Sequence, residues 1–340
     1  MHAGRWLLWV VPLVLLGLER PAPPSHAPAP DPRALRAARA VPIPPDNPQT
    51  PAKVELGRRL FYDPRLSLDG RVACASCHRP EFAFSDGGKP VSVGVFGRKG
   101  SRNAPTLTNV AFRRRLFWEG RSPRLELQAV GPLTAHHEMA MEPEALAQRL
   151  SSIPEYARAF QEVFGEPPTL KNVAFALAAF ERTLLSYDSP FDRFVAGDDS
   201  ALSPAARRGM ELFFSERGDC FHCHVGPEFT DDEPRNTGLY TVYPDVGLAR
   251  ITGKDEDVGK FKTPTLRNVA LTAPYMHDGS RKTLREVVEH YNRGGEPNLN
   301  ADPLIRPLGL SEREVDDLVA FLESLTDTRF IANPALLPPR

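Results

Sequence analysis

The sequence predicts a mainly α protein built as two related domains with long ordered loops. Three observations predict it. All four cysteines fall in two C-x-x-C-H motifs, the segments around those motifs recur in the same order, and helix signals outnumber strand signals throughout. A length of 340 residues suits two domains of ~150 residues each. The balance of 42 Lys+Arg against 43 Asp+Glu leaves no basic footprint, which argues against a nucleic-acid partner. Proline is the outlier: its 35 residues are about twice average usage and mark a folded chain rich in loops.

The first element reads as an export signal. Arg5 supplies positive charge ahead of an apolar stretch over 6–18. That stretch falls short of the ~20 residues a spanning helix needs and suits the core of a signal peptide. Ser25-His26-Ala27 resembles a small-x-small cleavage site, so residues 1–27 are read as a signal peptide and the body as periplasmic. An uncleaved anchor is the alternative, disfavoured by Pro12 and the proline-rich stretch after Arg20. No later run approaches spanning length, so no integral membrane domain is expected.

Export favours disulfides, yet the cysteine spacing points elsewhere. Cys74 and Cys77 precede His78, and Cys220 and Cys223 precede His224. C-x-x-C-H is the attachment signal of c-type haem. Both thiols add to the haem vinyl groups, and the adjoining imidazole reaches the iron as proximal ligand. A zinc site would place its two C-x-x-C pairs ~15–20 residues apart, far closer than these. The reading is two covalently bound haems c, with His78 on the first iron and His224 on the second.

The surrounding segments form a degenerate repeat. Pro105-Thr106-Leu107-Thr108-Asn109-Val110-Ala111 returns as Pro264-Thr265-Leu266-Arg267-Asn268-Val269-Ala270, and Trp118-Glu119-Gly120 returns as His277-Asp278-Gly279. Ahead of the motifs, Leu56-Gly57-Arg58-Arg59-Leu60-Phe61 is echoed by Arg208-Gly209-Met210-Glu211-Leu212-Phe213. The fold expected is therefore two cytochrome c-like haem domains related by duplication, over 28–186 and 187–340. Thr169 opens a helix with Val173, Ala176, Leu177, Phe180 and Leu184 on one face, expected in the core between domains. Ser203-Pro204 is a cap with proline at the first helical position. Thr283 with Glu286, and Ser311 with Glu314, are capping boxes. The best strand candidate is 91–96, and its glycines favour a loop.

The chemistry of each haem depends on its sixth ligand. Candidates are His136, His137, His222, His277, His290, Met210, Met276 and Tyr291. His222 lies inside its own motif and cannot reach the opposite haem face. Tyr291 stands as far beyond Pro264 as Pro132 does beyond Pro105. If Tyr291 binds the second iron, the first half has no ligating side chain at the matching place. An open position is what separates substrate chemistry from electron transfer. Near Pro132, Glu138 is the candidate acid/base for peroxide cleavage, and Gln128 a candidate to orient bound oxygen. Trp118 is a candidate electron relay between the haems.

Leu60-Phe61-Tyr62-Asp63-Pro64-Arg65-Leu66-Ser67, both haem motifs, Phe117-Trp118-Glu119-Gly120-Arg121 and Ala273-Pro274-Tyr275-Met276-His277-Asp278-Gly279 together resemble the bacterial di-haem cytochrome c peroxidase/MauG family. The resemblance covers almost everything after the leader. It implies a peroxidase that reacts with hydrogen peroxide at the N-terminal haem and draws electrons through the C-terminal haem. It also implies roles for Trp118 between the haems, Gln128 in the pocket and Glu138 in catalysis. A calcium ion between the domains would be held by the Asn103 side chain and the carbonyls of Thr272 and Pro274. No histidine occurs between His78 and His136, so the loop ligand typical of cytochrome c peroxidases is missing. Tyr291 matches the tyrosine of MauG/MbnH-like members, with Met276 as the alternative ligand. Both departures point to oxidation of residues on a partner protein. Two alternatives stay open: a peroxide scavenger fed by a small cytochrome c or cupredoxin, and a non-enzymatic di-haem electron carrier or redox sensor. The last needs His136, His137 or Met139 on the first iron.

Overall fold

Two helix pairs carry the architecture. In the computed structural model, which describes residues 31–35 and 40–339, helix Pro51–Phe61 crosses helix Leu170–Glu181, and helix Pro204–Phe213 crosses helix Glu312–Glu323. The signal-peptide segment 1–27 lies outside the described residues. Each crossing turns on a glycine. A Cβ on Gly57 would lie 1.9 Å from the Ala176 carbonyl oxygen, and one on Gly209 would lie 1.9 Å from that of Asp317. Only glycine lets the backbones approach so closely, which explains the echo of the two Gly-containing segments.

The hydroxyl caps read from the sequence are formed, but the box at Thr283 is not reciprocal: Glu286 Oε2 accepts from Lys282 N at 2.6 Å, not from Thr283 N. Ser203 Oγ accepts from Ala206 N at 3.1 Å and Thr283 Oγ1 from Glu286 N at 3.1 Å, while Ser311 and Glu314 satisfy each other's backbone N–H. The helix opened by Thr169 ends at Glu181, before Leu184, and corrects one expectation. It packs inside the first half against Pro51–Phe61 rather than between domains, because Gly57 admits its backbone there. Segment 91–96 is a loop with a 3₁₀ turn, Val95–Gly97. A Cβ on Gly94 would come within 2.4 Å of the Glu138 carbonyl oxygen, so the loop lies flat on the 137–138 backbone.

The repeat persists in backbone detail. Asn109 and Asn268 have φ of 53° and 59°, Phe117 and Met276 66° and 71°, and Gly120 and Gly279 73° and 69°. Left-handed φ is uncommon for a non-glycine residue, and it recurs at matching places. Helices Leu125–Thr134 and Leu284–Arg293 then start at matching positions and both run 10 residues. Among the described residues one two-stranded ladder joins Pro234–Arg235 to Phe261–Lys262, antiparallel, and the other extended pairings are isolated bridges, including the matching Leu116–Ser122 and Tyr275–Arg281.

Two apolar cores result. Phe61, Phe84 and Phe180 centre the first, and Phe191, Phe213, Phe229 and Phe321 the second. The chain ends cross over: Phe330 and Leu336 pack in the first core, and Leu35 against the second. Among the described residues no helix is long and apolar enough to cross a membrane.

Candidate functional site

The two C-x-x-C-H motifs fold alike. His78 N donates to Cys74 O at 2.9 Å and His224 N to Cys220 O at 3.0 Å, turning each imidazole back over its own cysteines. His78 Nδ1 meets Phe84 O at 2.9 Å and His224 Nδ1 meets Phe229 O at 2.9 Å. A ring nitrogen against a carbonyl must carry the proton, so each Nε2 keeps a lone pair, the tautomer a metal needs. Burial lowers both imidazole pKa values, keeping the rings neutral. No disulfide forms among the four cysteines. Burial pushes the Cys77 thiol up to about 11 and those of Cys220 and Cys223 up to about 12. The one cluster of metal-ligating side chains among the described residues, Glu216-Asp219-His222, contains no cysteine.

Both motifs open on one cavity of about 590 Å³, lined by Cys77 and His78 on one side and Cys220, Cys223 and His224 on the other. Its walls suit haem. Arg113 and Arg235 line it, and Arg113 Nε and Nη1 and Arg235 Nε are buried without hydrogen-bond partners. A buried donor left unpaired is costly, and haem propionates are acceptors of the right charge. Both guanidinium groups are ion-paired, Arg113 with Glu228 and Arg235 with Asp231 and Asp302, but thiol pairs, a neutral imidazole, apolar walls and these spare N–H donors together fit a haem c in each half.

On the first side, Gln128, Pro132, His137 and Glu138 share the cavity wall with His78. Gln128 and Pro132 lie one turn apart on helix Leu125–Thr134. Glu138 follows the helix end, its N donating to Ala135 O at 2.9 Å and its carbonyl accepting from Val95 N at 2.8 Å. Desolvation raises its carboxyl pKa, opposed by His137 and Arg121. His137 Nε2 is 3.6 Å from Glu138 Oε1 and its side chain is 55% exposed. His136 is off the cavity wall, and Met139 is buried in the first core.

On the second side, Tyr291 lines the cavity with His224. Burial pushes its phenol well up, with added pressure from the thiols of Cys223 and Cys220 beside it. Met276 is on the same wall, so the structure places both ligand candidates at the cavity. The others are engaged elsewhere. His290 Nε2 meets Thr237 O at 3.0 Å, Met210 is in the second core, His277 stacks on Phe261, and His222 pairs with Asp219.

Trp118 lies where the halves meet. Its Nε1 donates to Asn103 O at 2.8 Å, and its own carbonyl accepts from Lys262 N at 2.7 Å. Asn103 N donates to His277 O at 2.7 Å, and Asn103, Thr272 and Pro274 all line the cavity. Sequence reasoning missed Arg113, Arg235 and Lys262. Burial lowers the Lys262 ammonium to about 8, resisted by Asp232. The repeat held a signal for two of the three: Lys262 is the counterpart of Asn103, and Arg113 of Thr272.

A family model described as di-haem cytochrome c peroxidase matches residues 51–200, and one described as cytochrome c matches 206–326. Methylamine utilization protein MauG of Methylorubrum extorquens is 42% identical over 296 residues, covering 86% of this chain and 83% of that protein. Cytochrome-c peroxidase IdrP1 of Pseudomonas sp. (strain SCT) is 40% identical and covers 84% of each chain. The crystal structure of a MauG-like protein associated with microbial copper homeostasis superposes with a TM-score of 0.83 at 36% identity, covering 94% of this chain and 98% of that one.

Proposed function

The chain belongs to the di-haem cytochrome c peroxidase/MauG family, and from that premise we propose that it is a periplasmic peroxidase oxidising residues of a partner protein. One observation carries the assignment of roles. Pro132 and Tyr291 occupy the same position of two matching helices, and the proline side has Gln128 and Glu138 on the same cavity wall. Hydrogen peroxide then reacts at the first site, and electrons pass through the second.

When bound, the two haems supply iron that splits the O–O bond and holds the oxidising equivalents. His78 and His224 would hold the two irons through Nε2, each ring oriented by a backbone carbonyl. Pro132 offers the first iron no ligand and leaves room for peroxide. Glu138, poised by desolvation, moves a proton from the near to the far peroxide oxygen. Gln128 holds the bound oxygen in orientation. Trp118, fixed by Asn103 and Lys262, relays charge between the sites. Asn103 with the carbonyls of Thr272 and Pro274 would hold calcium, a hard cation suited to neutral oxygens. Tyr291 would supply the second iron with a phenol oxygen.

Met276, on the same wall as Tyr291, supports the second reading, a peroxide scavenger fed by a small cytochrome c or cupredoxin. The ferric spectrum of haem-loaded protein is the direct test. High-spin signal at one haem, lost on peroxide addition, is expected. Two low-spin, six-coordinate haems would favour the carrier or sensor, with His137 as the ligand to suspect.

A further inference from the structure

We propose that Tyr240 is a surface oxidation site, reached from Trp118 through a run of aromatic rings, where an oxidising equivalent meets an oxidisable side chain of a docked polypeptide. The inference rests on the peroxide reading above and adds a branch that bypasses the second haem site.

The rings form a continuous line. Trp118 meets His277 edge to face at 6.5 Å between centroids, and His277 lies flat on Phe261 at 3.7 Å. Phe261 is 6.3 Å from Tyr243, and Tyr243 is 5.7 Å from Tyr240. Tyr240 is half-buried, and its neighbours Thr241 and Val242 are exposed. The line thus runs from the inter-haem tryptophan to the surface. Electron tunnelling weakens exponentially with gap, so rings in contact carry charge far better than the same distance of aliphatic packing.

Chemistry picks out the terminus. A phenol loses an electron at neutral pH only if its proton leaves too, because the phenol radical cation is a very strong acid. Tyr240 O–H donates to Asp278 Oδ2, and Asp278 Oδ1 accepts from Ser280 N at 3.0 Å. The Asp278 carboxylate thus sits in direct hydrogen-bond contact with the phenol, placed to take its proton. Tyr243 has no such base: its hydroxyl donates to the Asn236 amide oxygen at 2.8 Å and accepts from Leu239 N at 2.8 Å. Tyr243, Phe261 and His277 bridge, and Tyr240 is oxidised.

The balance closes with peroxide as oxidant. Peroxide gains two electrons and two protons to become two waters, the protons coming from solvent. Tyr240 passes on the electrons in two successive one-electron turns; in each, its hydroxyl proton moves to Asp278, leaving a neutral tyrosyl radical and a protonated carboxyl. In each turn an electron from the docked polypeptide refills Tyr240 and the proton returns from Asp278, so the docked polypeptide loses two electrons overall and releases two protons to solvent.

The test mixes the haem-loaded protein with hydrogen peroxide, without reductant or partner, and follows haem absorption and freeze-quenched electron paramagnetic resonance together. Wild type should show a tyrosyl signal. Tyr240→Phe should respond to peroxide in absorption yet lack that signal, Tyr243→Phe should keep it, and Tyr243→Leu, which removes the ring, should slow it. Mass spectrometry with a nitroso spin trap should place the adduct on Tyr240. A tyrosyl signal of equal yield in Tyr240→Phe, or none in wild type whose haems respond to peroxide, overturns the proposal. Haems that do not respond at all overturn the peroxide reading and this branch with it.

Discussion

Helices Leu125–Thr134 and Leu284–Arg293 have the same length, the same start after the repeated glycine and the same place beside a C-x-x-C-H motif, yet they face the cavity with different side chains. Where the first presents Gln128 and Pro132, the second presents Val287 and Tyr291. The proximal sides have not diverged: His78 and His224 keep the same backbone partners at the same 2.9 Å. Duplication kept the frame that holds a haem and changed the wall that decides its reactivity. The polar wall suits a proton-coupled reaction with a small oxidant. The wall with valine and a phenol suits a closed iron that exchanges electrons.

The sharpest way to break this comparison is to remove His78 and His224 one at a time. His78→Ala should abolish reaction with hydrogen peroxide in stopped-flow absorption. His224→Ala should leave that first reaction and stop oxidation of the partner. If the two losses are interchangeable, the halves are not specialised.

Next in size is Glu138→Gln. General acid/base assistance is worth ~10²–10⁴-fold, and a loss of that order is expected in the peroxide rate with both haems retained. A loss below about threefold would make Glu138 a bystander. The pH profile adds a sign. Desolvation raises the Glu138 carboxyl, so the base form is present above that raised pKa. Wild type should slow as pH falls through a value above the ordinary carboxylate range, and the variant should lack that limb.

A smaller and symmetric effect is expected in the scaffold. Gly57→Ala and Gly209→Ala each force a methyl against a backbone carbonyl. Overpacking of this kind costs ~1–3 kcal/mol, and denaturant unfolding should show similar losses for both. A large difference between them would mean that the helix crossings are not equivalent.

How much of this was legible depended on whether the signal was local. Haem attachment needs two thiols and an imidazole within five consecutive residues, so both sites stood out at once. The repeated Pro-Thr-Leu and acid-glycine turns were visible because each enforces backbone conformation, and the matching φ values at Asn109 and Asn268 show why. Arg113 and Lys262 were marked only by their places in the repeat, and Arg235 not at all. Their burial arises where distant segments meet, and a surface arginine and a buried one look alike in a sequence. The helix opened by Thr169 was read correctly at its start and misplaced in space, because its partner is chosen by Gly57, more than a hundred residues earlier.

The smallest effect on the peroxide reaction is expected at Tyr291, although that residue bears most on the type of enzyme. A phenolate is a hard anionic donor that stabilises oxidised iron and lowers its potential, while a methionine thioether raises it. Tyr291 reaches the cavity from helix Leu284–Arg293, and Met276 reaches it from the turn that leads into that helix. Both cannot hold one axial position. Tyr291→His should shift the spectrum and potential of the second haem and leave the rate of the first peroxide reaction within about twofold, since Gln128, Pro132 and Glu138 are untouched and surface or remote changes are commonly near neutral. Met276→Leu should change neither. A tyrosine-ligated second site would hold an oxidising equivalent ready for a docked protein, whereas a methionine-ligated one would wait reduced for peroxide. If the methionine variant shifts the potential and the tyrosine variant does not, the second half is that of a scavenger. The case for partner oxidation would then rest on the missing histidine between His78 and His136.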